Sequence, residues 1–218
     1  MKKGLILTGG KLDLDFARAY LAEHSFDKII AVDSGLAAAG RLDVIPDYIV
    51  GDFDSVDHRL VQQYRKIPYI VWDAHQPEKD ETDTELARSR ALAIGCRELV
   101  FLGATGGRID HLLGNIDTLY ACLATGVKAC LLDRQNKLYL LDEGKTFYRD
   151  DLWGEFISFL PYTETVSGIT LRGFRYPLDC RNIKKGEEAG LCISNELTGE
   201  AGTLEFQDGI LVCTESCD

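Results

Sequence analysis

Three absences narrow what this chain can be. Basic charge is scarce: 24 Lys and Arg stand against 35 Asp and Glu, a formal charge of −11. Such a field repels nucleic-acid backbones and anionic lipid surfaces, so no nucleic-acid partner is expected. No run of about 18 apolar residues occurs, and the start, Met1-Lys2-Lys3 and then Gly4-Leu5-Ile6-Leu7, is too short for a secretory segment before Gly9-Gly10. No membrane span is expected either. The seven cysteines form no Cys-x-x-Cys pair, and Cys122, Cys130, Cys192 and Cys213 sit in apolar stretches, where a thiol acts as a small hydrophobe. Reduced structural thiols of a cytoplasmic protein are the expectation.

Several catalytic signatures are missing too. There is no Walker A ending, no dinucleotide Gly-x-Gly-x-x-Gly and no Ser/His/Asp or Cys/His arrangement. His24, His58 and His75 lack companions at metal-ligand spacing and read as surface residues.

What is present is a repeated sentence over 1–133: a short apolar run, a Gly- or Asp-rich tip, then a segment of helical period. Runs at 5–7, 29–32, 48–50, 69–71, 99–102 and 129–132 are hydrophobic throughout, as suits parallel strands covered on both faces. Helices are expected at 14–22, 58–64, 84–94 and 111–124, with Gly95 and Gly126 as stops. Over 136–218 the pattern turns β-rich, with strands at 156–160, 168–171, 191–194, 203–206 and 210–213 and a hairpin at Asp208-Gly209. The fold expected is a Rossmann-like parallel α/β sheet domain, 1–133, followed by a small antiparallel β-sandwich or barrel, 136–218.

In parallel sheets ligands bind beyond the carboxyl ends of the strands. Those tips read Thr8-Gly9-Gly10, Asp33-Ser34-Gly35, Gly51-Asp52-Phe53-Asp54-Ser55 and Gly103-Ala104-Thr105-Gly106-Gly107-Arg108. Asp52 and Asp54, two apart on an extended tip, can share a hard cation, although Asp also favours turns for its own backbone bonds. Thr82 and Glu85 match a capping box, a structural reason for both. That leaves Asp80 and Asp83 crowding the edge that holds Asp33, Asp52 and Asp54. Like charges about 4 Å apart cost on the order of 4 kcal/mol per pair at an effective dielectric near 20. Protonation, basic partners or a divalent cation can relieve that cost, and an all-oxygen set suits Mg²⁺ better than zinc. The glycines of 103–107 let backbone amides approach phosphate oxygens, with Arg108 as a fork. His111 reads as a ligand contact or a plain helix-start residue.

Assembled, Gly51-Asp52-Phe53-Asp54-Ser55, Lys79-Asp80-Glu81-Thr82-Asp83 and Leu102-Gly103-Ala104-Thr105-Gly106-Gly107-Arg108-Ile109-Asp110-His111 closely resemble the thiamine pyrophosphokinase family. The likeness continues in Leu171-Arg172-Gly173-Phe174-Arg175-Tyr176-Pro177-Leu178 and Ile193-Ser194-Asn195-Glu196. The resemblance implies transfer of a pyrophosphoryl unit from ATP to thiamine, giving thiamine diphosphate and AMP. It also implies Mg²⁺ on Asp52, Asp54 and Asp83. Lys79, Arg108, Asp33, Thr105, Gly106 and Gly107 would face the nucleotide, and Asp110 or Asp83 would take the alcohol proton. Tyr176, Ser194 and Asn195 would face thiamine, Tyr176 standing where some relatives carry a stacking Trp. A homodimer with sites shared between chains is implied as well. Two rivals remain, a metal-dependent nucleotide-sugar transferase and a non-catalytic sensor of thiamine or nucleotide.

Overall fold

In the computed structural model, residues 1–53, 56–74 and 81–218 are described. The chain divides into two compact units, Met1–Arg134 and Gln135–Asp218.

The first unit alternates strand and helix. Its strands are β1 (Lys2–Leu7), β2 (Lys28–Val32), β3 (Tyr48–Gly51), β4 (Val71–Ala74), β5 (Cys96–Leu102) and β6 (Lys128–Leu132). All pair in parallel, in the order β4-β3-β2-β1-β5-β6. Leu5, Ile6, Leu7, Ile30, Ile49, Leu99, Phe101 and Leu102 are fully buried, the result expected when helices cover both faces of a parallel sheet. The helices are α1 (Leu14–Glu23), α2 (Gly35–Arg41), α3 (His58–Arg65), α4 (Asp83–Ala93) and α5 (Ile109–Leu123).

Helices α1, α3 and α4 start where the sequence provides a capping side chain, Asp13, Asp57 and Thr82. Asp13 accepts from the amides of Asp15 and Phe16 at the head of α1. At α4 the expected capping box forms: Thr82 Oγ1 accepts from Glu85 N at 3.2 Å, and Glu85 Oε2 accepts from Thr82 N at 2.7 Å. His24, expected at the surface, is half-buried and stacks on Tyr20 with ring centroids 4.0 Å apart.

The second unit is an antiparallel sandwich. One sheet pairs β7 (Asn136–Leu141), β13 (Leu211–Ser216) and β9 (Phe156–Pro161). The other runs β11 (Leu178–Lys184), β10 (Thr165–Arg172), β12 (Ala201–Glu205) and β8 (Lys145–Tyr148). Phe147, Phe159 and Phe174 meet edge-on at 5.6–6.0 Å and fill the space between the sheets.

Two expectations for this unit fail. Residues 191–194 are not a strand: a 3-10 turn, Ala189–Cys192, ends in a left-handed Ser194 (φ 54°). Asp208-Gly209 does not close a hairpin, because the strands it joins, β12 and β13, belong to different sheets. Gly209 (φ 103°) instead docks beside β10, where an added Cβ would lie 2.7 Å from Thr165 O.

Candidate active site

The chain passes from β1 to β2 on one side, while β5 lies on the other side of β1. That reversal opens a crevice between the β1 and β5 tips, the usual ligand position in such a sheet. Thr8 closes its floor, with its amide and hydroxyl both donating to Leu102 O, at 2.9 and 3.2 Å. Above it the β1 and β5 tips, and β1 and α2, meet backbone to backbone, which glycine alone permits. A Cβ on Gly10 would lie 2.1 Å from Gly103 O and 2.6 Å from Gly106 O, and one on Gly35 2.1 Å from Leu7 O. Gly103 adds a positive φ of 76° that a side chain would strain. Thr105 and Gly106 are half-buried and Gly107 exposed, on the loop leading into α5. Asn115 Nδ2 holds that loop by donating to Ala104 O at 2.8 Å.

The acidic tips stand beside this crevice. Asp33 ends β2 in a left-handed conformation (φ 45°), its amide donating to Val50 O at 2.8 Å. A Cβ on Gly51 would lie 3.2 Å from the Asp33 Cβ, so the Asp33 backbone abuts the residue before Asp52. Phe53 is also left-handed (φ 66°); its ring meets Trp72 edge-on at 5.2 Å, and Arg65 lies 4.8 Å over the other aromatic system. This aromatic brace of the Asp52 tip was not anticipated from sequence, although Phe53 lies inside the motif and Trp72 just after an apolar run. Asp83 is the first residue of α4. Asp54 and Lys79, both expected in the site, and Asp80 lie outside the described residues.

Among the described residues no three His, Cys, Asp or Glu side chains converge on one ion position. The donors that do gather, Asp33 and Asp52 on adjacent tips, are carboxylates alone. That chemistry fits Mg²⁺, which typically takes one or two protein carboxylates and fills its remaining positions with water and substrate phosphates.

Arg108, expected to face the nucleotide, and Asp110, expected near the reacting groups, pair with each other. Both are exposed, and the Arg108 fork grips Asp110, Nε to Oδ1 at 3.1 Å and Nη2 to Oδ2 at 2.5 Å. The guanidinium hydrogen bond holds the Asp110 carboxyl below its usual range, and the carboxylate raises Arg108 in return. Asp110 Oδ1 also accepts from His111 N at 3.0 Å, which caps the start of α5.

In the second unit Tyr176 is 51% exposed, with Arg175 5.5 Å over its ring and ion-paired to Glu196 at 2.7 Å. Ser194 is exposed, its amide donating to Ser158 Oγ at 3.0 Å. Asn195, expected to face thiamine, lies in the interior. It is fully buried, its Oδ1 accepting from Tyr176 N (2.9 Å) and Glu196 N (3.0 Å) and its Nδ2 donating to Tyr176 O (2.9 Å). Its amide is thus committed to holding the Tyr176 backbone.

A parallel sheet with glycine-rich tips at its switch point and acids on the neighbouring tips, in a chain that also carries a β-sandwich unit, defines a two-unit protein of the class that places phosphate chemistry at strand tips. Comparison with known proteins makes this specific. The family model described as thiamin pyrophosphokinase, catalytic domain, matches residues 19–131, and that of the vitamin B1 binding domain matches 145–211. Thiamine pyrophosphokinase of Bacillus subtilis (strain 168) is 38% identical over 221 residues, spanning 100% of both chains. A solved thiamine pyrophosphokinase from Bacillus subtilis superposes with a TM-score of 0.87 at 35% identity over 100% of each chain. One from Geobacillus thermodenitrificans gives 0.85 at 33%, covering 99% of this chain and 98% of that one. The yeast enzyme, 18% identical with a TM-score of 0.81, shares the fold. The chain belongs to the thiamin pyrophosphokinase family and is an enzyme of that activity.

Proposed function

We propose that the chain catalyses attack of the thiamine hydroxyethyl oxygen on the β-phosphorus of ATP. The new bond is O–Pβ; the bond that breaks joins Pβ to the oxygen bridging it to Pα. AMP leaves with that oxygen, the alcohol proton passes to a base or water, and thiamine diphosphate remains. The observation that carries this reading is the glycine-rich switch point, where the tips of β1 and β5 pack together and the half-exposed 105–107 loop leads its amides into the start of α5.

In this reading the amides of Thr105, Gly106 and Gly107 and the side chain of Lys79 face the nucleotide, with Asp33 at the rim. Asp52, Asp54 and Asp83 would hold Mg²⁺, which supplies neutralisation of the charge that builds on the donor oxygens. Arg108 would exchange Asp110 for a phosphate when the donor arrives. Asp110, kept anionic by Arg108, is a weak proton acceptor, which favours Asp83 or water for that task. Tyr176 offers an aromatic face and Ser194 a hydroxyl to thiamine, whose fixed positive charge suits an electron-rich ring and an acidic protein. Asn195 keeps Tyr176 in place.

The enzyme works as a homodimer, with the α/β unit of one copy completed by the sandwich of another. The apolar stripe of Ile109, Leu113 and Tyr120, exposed along α5, supports a second copy. We place the reaction in the cytoplasm: Cys122, Cys192 and Cys213 are buried, reduced thiols, and burial raises the first two to about 11 and the third to about 12. The charge of −11 disfavours nucleic acid as a partner. No helix among the described residues is long and apolar enough to cross a membrane.

The test is Asp52→Asn. Turnover with ATP, thiamine and Mg²⁺ should fall at least about a hundredfold, the scale for losing a partner of transition-state charge. Near-normal turnover would remove Asp52 from the reaction. Sugar-nucleotide cleavage without AMP, or binding of both ligands without turnover in the parent enzyme, would replace the reading itself.

A further inference from the structure

We propose that Lys11, which no motif singles out, is a donor-binding residue whose ammonium meets the triphosphate at the switch-point crevice. The inference rests on the reading above and adds a residue to it.

Lys11 follows Thr8-Gly9-Gly10 at the β1 tip and bridges across the crevice to the β5 side: it forms an antiparallel bridge with Gly106, its amide donating to Gly106 O at 3.2 Å. The packing there is tight. A Cβ on Gly106 would lie 2.7 Å from Lys11 O and 3.0 Å from the Lys11 Cβ, so position 106 takes no side chain and the one at this contact comes from position 11. That residue is the lysine, and its stem leaves the backbone at the seam between the two phosphate-facing loops. The residue itself is exposed.

Charge decides what the ammonium is for. Two other cations on this edge of the sheet are already engaged, Arg108 by Asp110 and Arg134 by Asp13 at 3.7 Å. Among the described residues Lys11 makes no ion pair. The neighbouring tips carry Asp33 and Asp52, and the molecule as a whole −11. A triphosphate bearing close to four negative charges approaches an edge that repels it, unless cations stand where its oxygens land. Arg108 must first release Asp110; Lys11 has nothing to release. A lysine also suits this place as a compact point charge on a flexible stem, able to follow the phosphates without a fixed fork.

The experiment is calorimetric titration of α,β-methylene-ATP, which cannot be cleaved at the reacting bridge, into the full chain in magnesium buffer. Parent enzyme, Lys11→Ala, Lys11→Gln and Lys11→Arg are compared, with thiamine titrated separately. Loss of one exposed charge-assisted contact should weaken the analogue about tenfold in Lys11→Ala and Lys11→Gln. Lys11→Arg should stay within about twofold, and thiamine affinity should be unchanged in all four. Because Lys11 is exposed, the thermal midpoints of the variants should match the parent. Analogue affinity unaltered in Lys11→Ala, or equal losses for analogue and thiamine, would overturn the assignment. If the parent neither binds the analogue nor turns over ATP with thiamine, the functional reading fails first, a result distinct from a silent lysine.

Discussion

At the scale of single residues, the candidate site separates groups that meet ligand from groups that hold them. Asn195 is the clearest case: the family resemblance implies a ligand contact, whereas its side-chain amide bonds the Tyr176 and Glu196 backbone. Asn195→Ala leaves those buried groups unsatisfied and should cost about 2–3 kcal/mol of stability by denaturant titration, since each orphaned group costs roughly 1–3 kcal/mol. A loss confined to thiamine affinity, with stability intact, would return it to the ligand. For Asp110, pairing with Arg108 depresses the carboxyl, so the stabilising contact is present above the ordinary carboxylate value and lost only as pH falls below it. At neutral pH and without ligand the pair therefore stays closed. Asp110→Asn should therefore cost less than about tenfold in kcat and leave the acid limb of the pH profile in place. A loss of about 10²–10⁴ with the limb displaced would make Asp110 the proton acceptor.

At the scale of elements, the continuous apolar runs of the parallel sheet were legible in the sequence, whereas the short strands β7 and β8 were not, although Tyr139, Leu140 and Phe147 are buried. The continuous apolar runs became β1, β2, β3, β5 and β6, and the capping box opened α4. The run at 69–71 misplaced β4, which begins only at Val71: Tyr69 is exposed, and the strand continues through Trp72 and Asp73. Helix α2 was missed because Gly35 and Gly40 look like turn residues. Gly35 is required by the nearby Leu7 O, not by a turn. Strand β11 escaped notice because it is an edge strand with mostly exposed side chains, whose polar sequence carries no alternation to read. The site residues read as motifs, but the Arg108–Asp110 pairing and the Phe53–Trp72 brace depend on side-chain directions that spacing does not carry. The last strand, β13, is fixed by a buried acid. Glu215 Oε1 accepts from Tyr139 OH at 2.6 Å and its Oε2 from Trp153 N at 2.8 Å, while Lys145 Nζ donates to the same phenol oxygen at 2.7 Å. Removing one member of such a buried charged network typically costs about 3–5 kcal/mol. Glu215→Ala should lower stability by that amount in urea titration; a change under about 1 kcal/mol would mean that the network does not hold the strand.

At the scale of the whole molecule, the acidic charge, the acid-tipped sheet and the glycine-walled crevice make one physical argument. A polyanionic donor can settle among carboxylates only if divalent and basic counter-charges accompany it. The reading of pyrophosphoryl rather than phosphoryl transfer follows from the family, and it fixes which phosphorus moves. The most direct measurement supplies ATP labelled at the β-phosphorus together with thiamine and Mg²⁺ and follows the label by chromatography. The account predicts that label passes into thiamine diphosphate in step with unlabelled AMP, and that chelating the magnesium stops both. Label retained in a nucleotide product, or transfer undiminished by chelation, would contradict it.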